Sequence, residues 1–113
     1  MANHITVTPV TGPVTISAGG SVLGTSTGAV ELREGSYPAV LYVPRRDIDM
    51  ELLEQTQRAT SCPWKGKASY YSIRTGAGIL ENAVWSYESP LPDMAVIAGH
   101  LAFYTDRVTV TRT

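Results

Sequence analysis

The chain has 113 residues, of which 43% are hydrophobic and 17% charged, and its formal net charge is -1. That composition is globular, and residues 1–113 read as a single domain with little room for a second. The charge balance lacks the basic footprint of a nucleic-acid binder, and no apolar run approaches the roughly 18 residues that span a bilayer, so neither nucleic acid nor membrane is an expected partner. A single cysteine, Cys62, precludes an intrachain disulfide, and Met1 to Val10 shows no signal-peptide pattern. A cytoplasmic location is the expectation.

The first third alternates with a period of two. Ile5, Val7 and Val10 point one way and Thr6 and Thr8 the other, and the pattern resumes at Val14-Thr15-Ile16 after Pro9 and Gly12-Pro13. Alternation of this kind marks half-buried strands. Gly19-Gly20 is a turn, and Val22-Leu23 and Ala29 to Leu32 read as further short strands, so the region is expected to be a meander. Tyr37 to Val43 is the next strand, ended by Pro44. Asp47 or Asp49 can then cap a helix over Met50 to Arg58, where Ile48, Leu52 and Thr56 stack at i, i+4.

Thr60 to Gly66 reads as a polar loop. Ala68 to Ile73 is a strand, Gly76 to Gly78 a turn, and Ala83 to Tyr87 a strand with Val84 and Trp85 on opposite faces. Asp93 caps a helical turn over Met94 to Ala98, and Leu101 to Tyr104 and Arg107 to Val110 close the chain as strands. The expected fold is mainly β, with small antiparallel sheets and one short α-helix near residues 49–58.

Chemistry concentrates between Cys62 and Tyr71. Cys62 sits near Lys65 and Lys67, a setting that can activate a thiol as nucleophile or redox centre; a lone cysteine is more often a small buried hydrophobe, and Cys-Pro at a strand entry fits that packing role. Lys65-Gly66 can present a cation and bare backbone to an anion, or be a solvated turn. Trp64, Tyr70, Tyr71, Trp85 and Tyr87 can wall a pocket for a planar or cationic ligand, or pack a core. Trp85 and Tyr87 share a face, while Tyr70 and Tyr71 take opposite ones. His100 is a candidate general base or pocket residue. No spacing of His, Cys or carboxylates suggests a metal site, and no cofactor motif is present.

The segment Thr60 to Tyr71 resembles the family known as domain of unknown function 427, whose hallmark is Cys-Pro-aromatic-Lys-Gly-x-Ala-x-Tyr. Tyr42-Val-Pro44 with Asp47 to Met50, Ala83-Val-Trp85-Ser-Tyr87, and Ile97 to Tyr104 with Arg107-Val108 resemble its other motifs in the family's order. The resemblance runs from about Ile5 to Val110. It implies a β-tent-like fold, similar to methionine sulfoxide reductase B and the cereblon ligand domain. The paired Cys-x-x-Cys zinc site of some β-tent relatives needs four cysteines, and this chain has one. The family is sometimes labelled nucleotidyltransferase-like; that chemistry needs paired carboxylates on a strand, whereas Asp47-x-Asp49 sits where helix caps are expected.

Three readings follow. The first is a small-molecule-binding module with its pocket near Cys-Pro-Trp-Lys-Gly, lined by Trp64, Lys65, Gly66, Tyr70, Tyr71, Trp85, Tyr87 and His100. The second is an enzyme using Cys62. The third is a protein-interaction module with an apolar patch around Trp64 or Leu91. Oligomeric state is not legible.

Overall fold

Residues 4–112 are described by the structure, a computed structural model. Ten strands form three small antiparallel sheets. The first sheet has the order β1 (Ile5–Pro9), β4 (Val30–Glu34), β5 (Val40–Tyr42); the second is β10 (Thr109–Arg112), β2 (Val14–Ala18), β3 (Ser21–Ser26). The third is β6 (Leu53–Cys62), β7 (Gly66–Thr75), β8 (Gly78–Ser86), β9 (Leu101–Phe103). Mutual amides of Val43 and Leu101, each 2.8 Å from the other's carbonyl, join the first sheet to the third at β9. Among the described residues no helix is long and apolar enough to cross a membrane.

The period-two pattern explains the layering. Val14, Ile16 and Ala18 are buried on one face of β2 while Thr15 and Ser17 are half-exposed. Gly19 and Gly20 close the β2–β3 hairpin with φ of 54° and 81°, the two left-handed residues that a tight hairpin of matching twist requires. β7 and β8 alternate between two cores. Tyr71, Ile73 and Val84 face the apolar cluster built on the second sheet, with Ile16, Leu23 and Phe103. Ala68, Tyr70 and Tyr87 join the cluster that includes Ile5 and Leu32 of the first sheet. The four-stranded sheet is therefore a partition, apolar on both faces, with a smaller sheet against each.

Two sequence expectations change. The first third is not a meander: β1 pairs with β4, and the β2–β3 hairpin is inserted between them. Pro9 and Gly12-Pro13 redirect the chain before β2 can fold back on β1. The α-helix expected near residues 49–58 is replaced by one 3-10 turn, Met50–Leu52, capped by the Asp49 carboxylate, which accepts from the Glu51 amide at 3.2 Å. From Leu53 the chain is β6, with only Leu53 buried. Beyond Leu53 the segment has no apolar stripe to hold a helix down, and an isolated helix of this length is marginal in water. Pairing with β7, from Leu53↔Ile73 to Cys62↔Gly66, prevails over local propensity. The helical turn near Asp93 is present as 3-10 structure over Pro92–Ile97.

Candidate functional site

Where the first and third sheets lean together, a cavity of about 280 Å³ opens. Its walls come from four strands and the loops beside them. β5 contributes Val40 and Tyr42, and Leu32 and Glu34 come from β4 beside it. β7 and β8 place Tyr70 directly opposite Trp85, and the next residue across, Ala102 of β9, is small. Tyr87 follows β8, Tyr104 follows β9, and Lys65 comes from the turn between β6 and β7. The loop carrying Tyr37 and Pro38 forms the rim, and Tyr37 is 74% exposed.

The aromatic walls are fixed by one another. The Trp85 indole N–H donates to the Tyr42 hydroxyl at 3.2 Å, and the two rings meet edge to face at 6.3 Å. Trp85 also packs on Tyr104 at 4.7 Å, and Tyr42 on Tyr87 at 6.5 Å. Burial pushes the Tyr42 phenol up to about 12 and raises Tyr87 further, so both stay neutral donors at physiological pH. Tyr70 is different. Burial acts to raise its phenol, but the Thr60 hydroxyl at 2.9 Å, Tyr104 and the nearby Arg58 guanidinium together hold it below the ordinary value.

Charge enters at one end. Lys65 is only 7% exposed, and its ammonium donates to Glu34 Oε1 at 2.7 Å. The same ammonium lies 5.8 Å from the Tyr87 ring centre. His4 Nε2 stands 3.6 Å from the other Glu34 oxygen. A lysine buried this deeply needs such a carboxylate partner.

The sequence candidates divide. Lys65, Tyr70, Trp85 and Tyr87 come together on this cavity. Trp64, Gly66, Tyr71, His100 and Cys62 are not among its lining residues. Trp64 is 45% exposed and stacks edge-on against His4 at 5.0 Å. Gly66 has φ of 109°, a backbone conformation suited to glycine, and lies against Pro90 and Leu91. Cys62 is half-buried against the cluster of Tyr42, Ala68 and Tyr70. His100 Nδ1 is 3.1 Å from the Ala98 carbonyl of its own turn.

Tyr71 projects from the opposite face of β7 into a separate polar knot. Its hydroxyl donates to Glu88 at 2.5 Å, and Arg45 reaches it at 3.1 Å. Arg45 also donates to Glu88 at 2.7 Å and to the Gly99 carbonyl at 3.1 Å, tying three loops together. Sequence reasoning missed Glu34, Tyr42 and Tyr104 as wall residues. Tyr42 and Tyr104 each lie inside a motif of the family resemblance; Glu34 carries no local signal, because its partner is 31 residues away.

Asp47 and Asp49 do not converge on a shared site. Asp47 accepts from the Ser26 hydroxyl at 2.6 Å, and Asp49 caps the turn that follows it. Among the described residues no group of three or more His, Cys, Asp or Glu side chains is placed to hold a metal ion.

A small all-β domain with an aromatic cavity at a sheet junction is the class this geometry defines. The chain belongs to the family described as Domain of unknown function (DUF427), whose model matches residues 6–113. No curated protein matches the chain.

Proposed function

We propose that this chain is a small-molecule-binding module, and that its site is the cavity between β5 and the β7–β8 hairpin. The observation that carries the reading is the convergence of Tyr42, Tyr70, Trp85, Tyr87 and Tyr104 around about 280 Å³ of space. A packed core would fill such a volume. Ligand sites are concave, mostly apolar and furnished with a few fixed polar groups, and this volume lies just below their usual range of roughly 300–1,000 Å³. The ligand is therefore the size of one or two rings.

Its chemistry follows from the walls. Flat aromatic faces suit a planar partner. The Tyr87 face already has Lys65 at 5.8 Å, Tyr70 has Arg58 at 4.8 Å, and Tyr104 has Arg107 at 5.6 Å. With three of five rings so occupied, a cationic ligand is disfavoured, and a neutral or weakly acidic planar molecule is the better fit. Phenol hydroxyls and the Lys65–Glu34 pair supply its hydrogen bonds. The three leaning antiparallel sheets support the β-tent-like arrangement, and the single free cysteine supports a cytoplasmic setting.

Native mass spectrometry of freshly purified protein, followed by denaturing spectra of the same sample, tests the reading. The expected result is a mass excess that is lost on denaturation and absent from a folded Trp85→Ala variant. An excess retained in that variant places the ligand elsewhere and overturns the assignment.

A further inference from the structure

A second cavity, about 210 Å³, adjoins the first and shares with it Pro38, Val40, Trp85 and Tyr104. Its character is different. Leu41, Phe103 and Val110 line it together with Ala39 and Thr105, and it has no charged side chain, whereas Glu34 and Lys65 belong to the first cavity alone. The divider is β5 itself: Tyr42 faces the first cavity, Leu41 the second, and Val40 borders both. Trp85 and Tyr104 lie on the shared boundary, their rings packed together at 4.7 Å.

We infer that a single ligand spans both cavities, with a planar hydrogen-bonding head between Tyr70, Tyr87 and Trp85 and a short apolar arm laid over Val40 against Leu41, Phe103 and Val110. The inference rests on the first cavity being a binding site and adds the class of molecule that fills it, a planar head bearing one alkyl or similar arm. Burying the arm removes exposed apolar surface from water on both partners, which is the main favourable contribution available to an uncharged pocket. The wall chemistry sets the orientation, because the charged Lys65–Glu34 pair and the Tyr42, Tyr70 and Tyr87 phenols line the first cavity alone, while the only side chains of the second that carry a polar atom are Thr105, Trp85 and Tyr104.

The test uses the alkyl esters of 4-hydroxybenzoic acid, methyl through hexyl, as probes. Trp64→Phe, at a position outside both cavities, leaves Trp85 as the only tryptophan, and its fluorescence reports binding. The dissociation constant is expected to fall about 4-fold per added methylene until the arm fills its cavity. Thr105→Asp, on an exposed turn, and Val110→Asp, on β10, should flatten the series, weakening the longer esters far more than the methyl ester. Thr105→Asp keeps the test readable if Val110→Asp does not fold.

A flat series with the methyl ester still binding overturns the two-cavity inference and leaves the first cavity as a site. A series that stays steep in both aspartate variants places the arm elsewhere and also overturns it. Absence of any Trp85 response across the whole series overturns the inference and the reading beneath it together.

Discussion

The Trp85 indole N–H and the Tyr42 hydroxyl, 3.2 Å apart, join β8 of the four-stranded sheet to β5 of the first sheet in the wall of the aromatic cavity. Tyr42 is 2% exposed, so its hydroxyl has little water to turn to. Tyr42→Phe leaves the indole donor without that partner in a half-buried site. The expected loss is about 1–2 kcal/mol, read as a lower urea midpoint at unchanged slope.

The same residue sets an alkaline limit. Its folded-state value is raised to about 12 by burial, above the unfolded value near 10. The unfolded chain then loses this proton first, so the contribution is fully present below about pH 10 and is lost as pH rises toward 12. Tyr42→Phe should show a shallower fall in stability over that window, measured by urea titration at stepped pH. An unchanged slope would mean that Tyr42 ionises as freely in the folded protein as in the unfolded one.

Lys65 and Glu34 form an unequal pair, with side chains 9% and 23% exposed. Removing the carboxylate strands a buried ammonium, whereas removing the ammonium leaves a carboxylate that water can reach. Glu34→Gln is therefore expected to cost about 2 kcal/mol or more, and Lys65→Met clearly less. The double variant should recover most of the Glu34→Gln loss. Chemical denaturation of the four proteins gives the coupling directly.

Glu88 governs the acid side. Partial burial acts to raise its carboxyl, but the Tyr71 hydroxyl and the Arg45 guanidinium outweigh that and hold it below the ordinary carboxylate value. A depressed folded-state value contributes stability above the unfolded value, about pH 4.3, and that contribution disappears as pH falls through the folded one. Glu88→Gln should lower the melting temperature at neutral pH and close the gap to wild type on acidification. Parallel melting curves at every pH would remove Glu88 from the account.

Gly24 on β3 tests the packing between the second sheet and the turn at Arg45–Asp47. A Cβ there would lie 1.9 Å from the Asp47 carbonyl oxygen, which is backbone and cannot swing away. Gly24→Ala is expected to destabilise by about 1–3 kcal/mol, as overpacked sites do. Gly20→Ala meets no atom within 4 Å, and its cost comes from φ of 81° alone. Thermal melts of the pair separate the two causes.

The sequence made some of this visible and concealed the rest for identifiable reasons. Val14, Thr15 and Ile16 announced a half-buried strand because burial on one face writes itself as alternation. Tyr70 and Trp85 were recognisable as potential neighbours, although only the register shows them directly opposite. The stretch from Leu53 to Cys62 was misleading: its helix-forming side chains mask a strand held by pairing with β7, and local propensity does not encode a partner. Glu34 was silent because its meaning comes from Lys65, brought near only by the fold. Asn82, with φ of 51°, marks a bulge in β8, where its amide donates to the Ser72 hydroxyl at 3.1 Å. No glycine or proline signals that bulge.

The most direct measurement of the central claim uses the two indole N–H resonances in a 15N-labelled sample. Trp64 lies outside the aromatic cavity and Trp85 forms part of its wall. Titration with small neutral or weakly acidic planar fragments should shift the Trp85 indole signal, leave that of Trp64 in place, and lose its effect in Tyr70→Ala. Fragments that shift Trp64 and never Trp85, or that leave both indoles unmoved while binding elsewhere, would contradict the assignment of this cavity as the binding site.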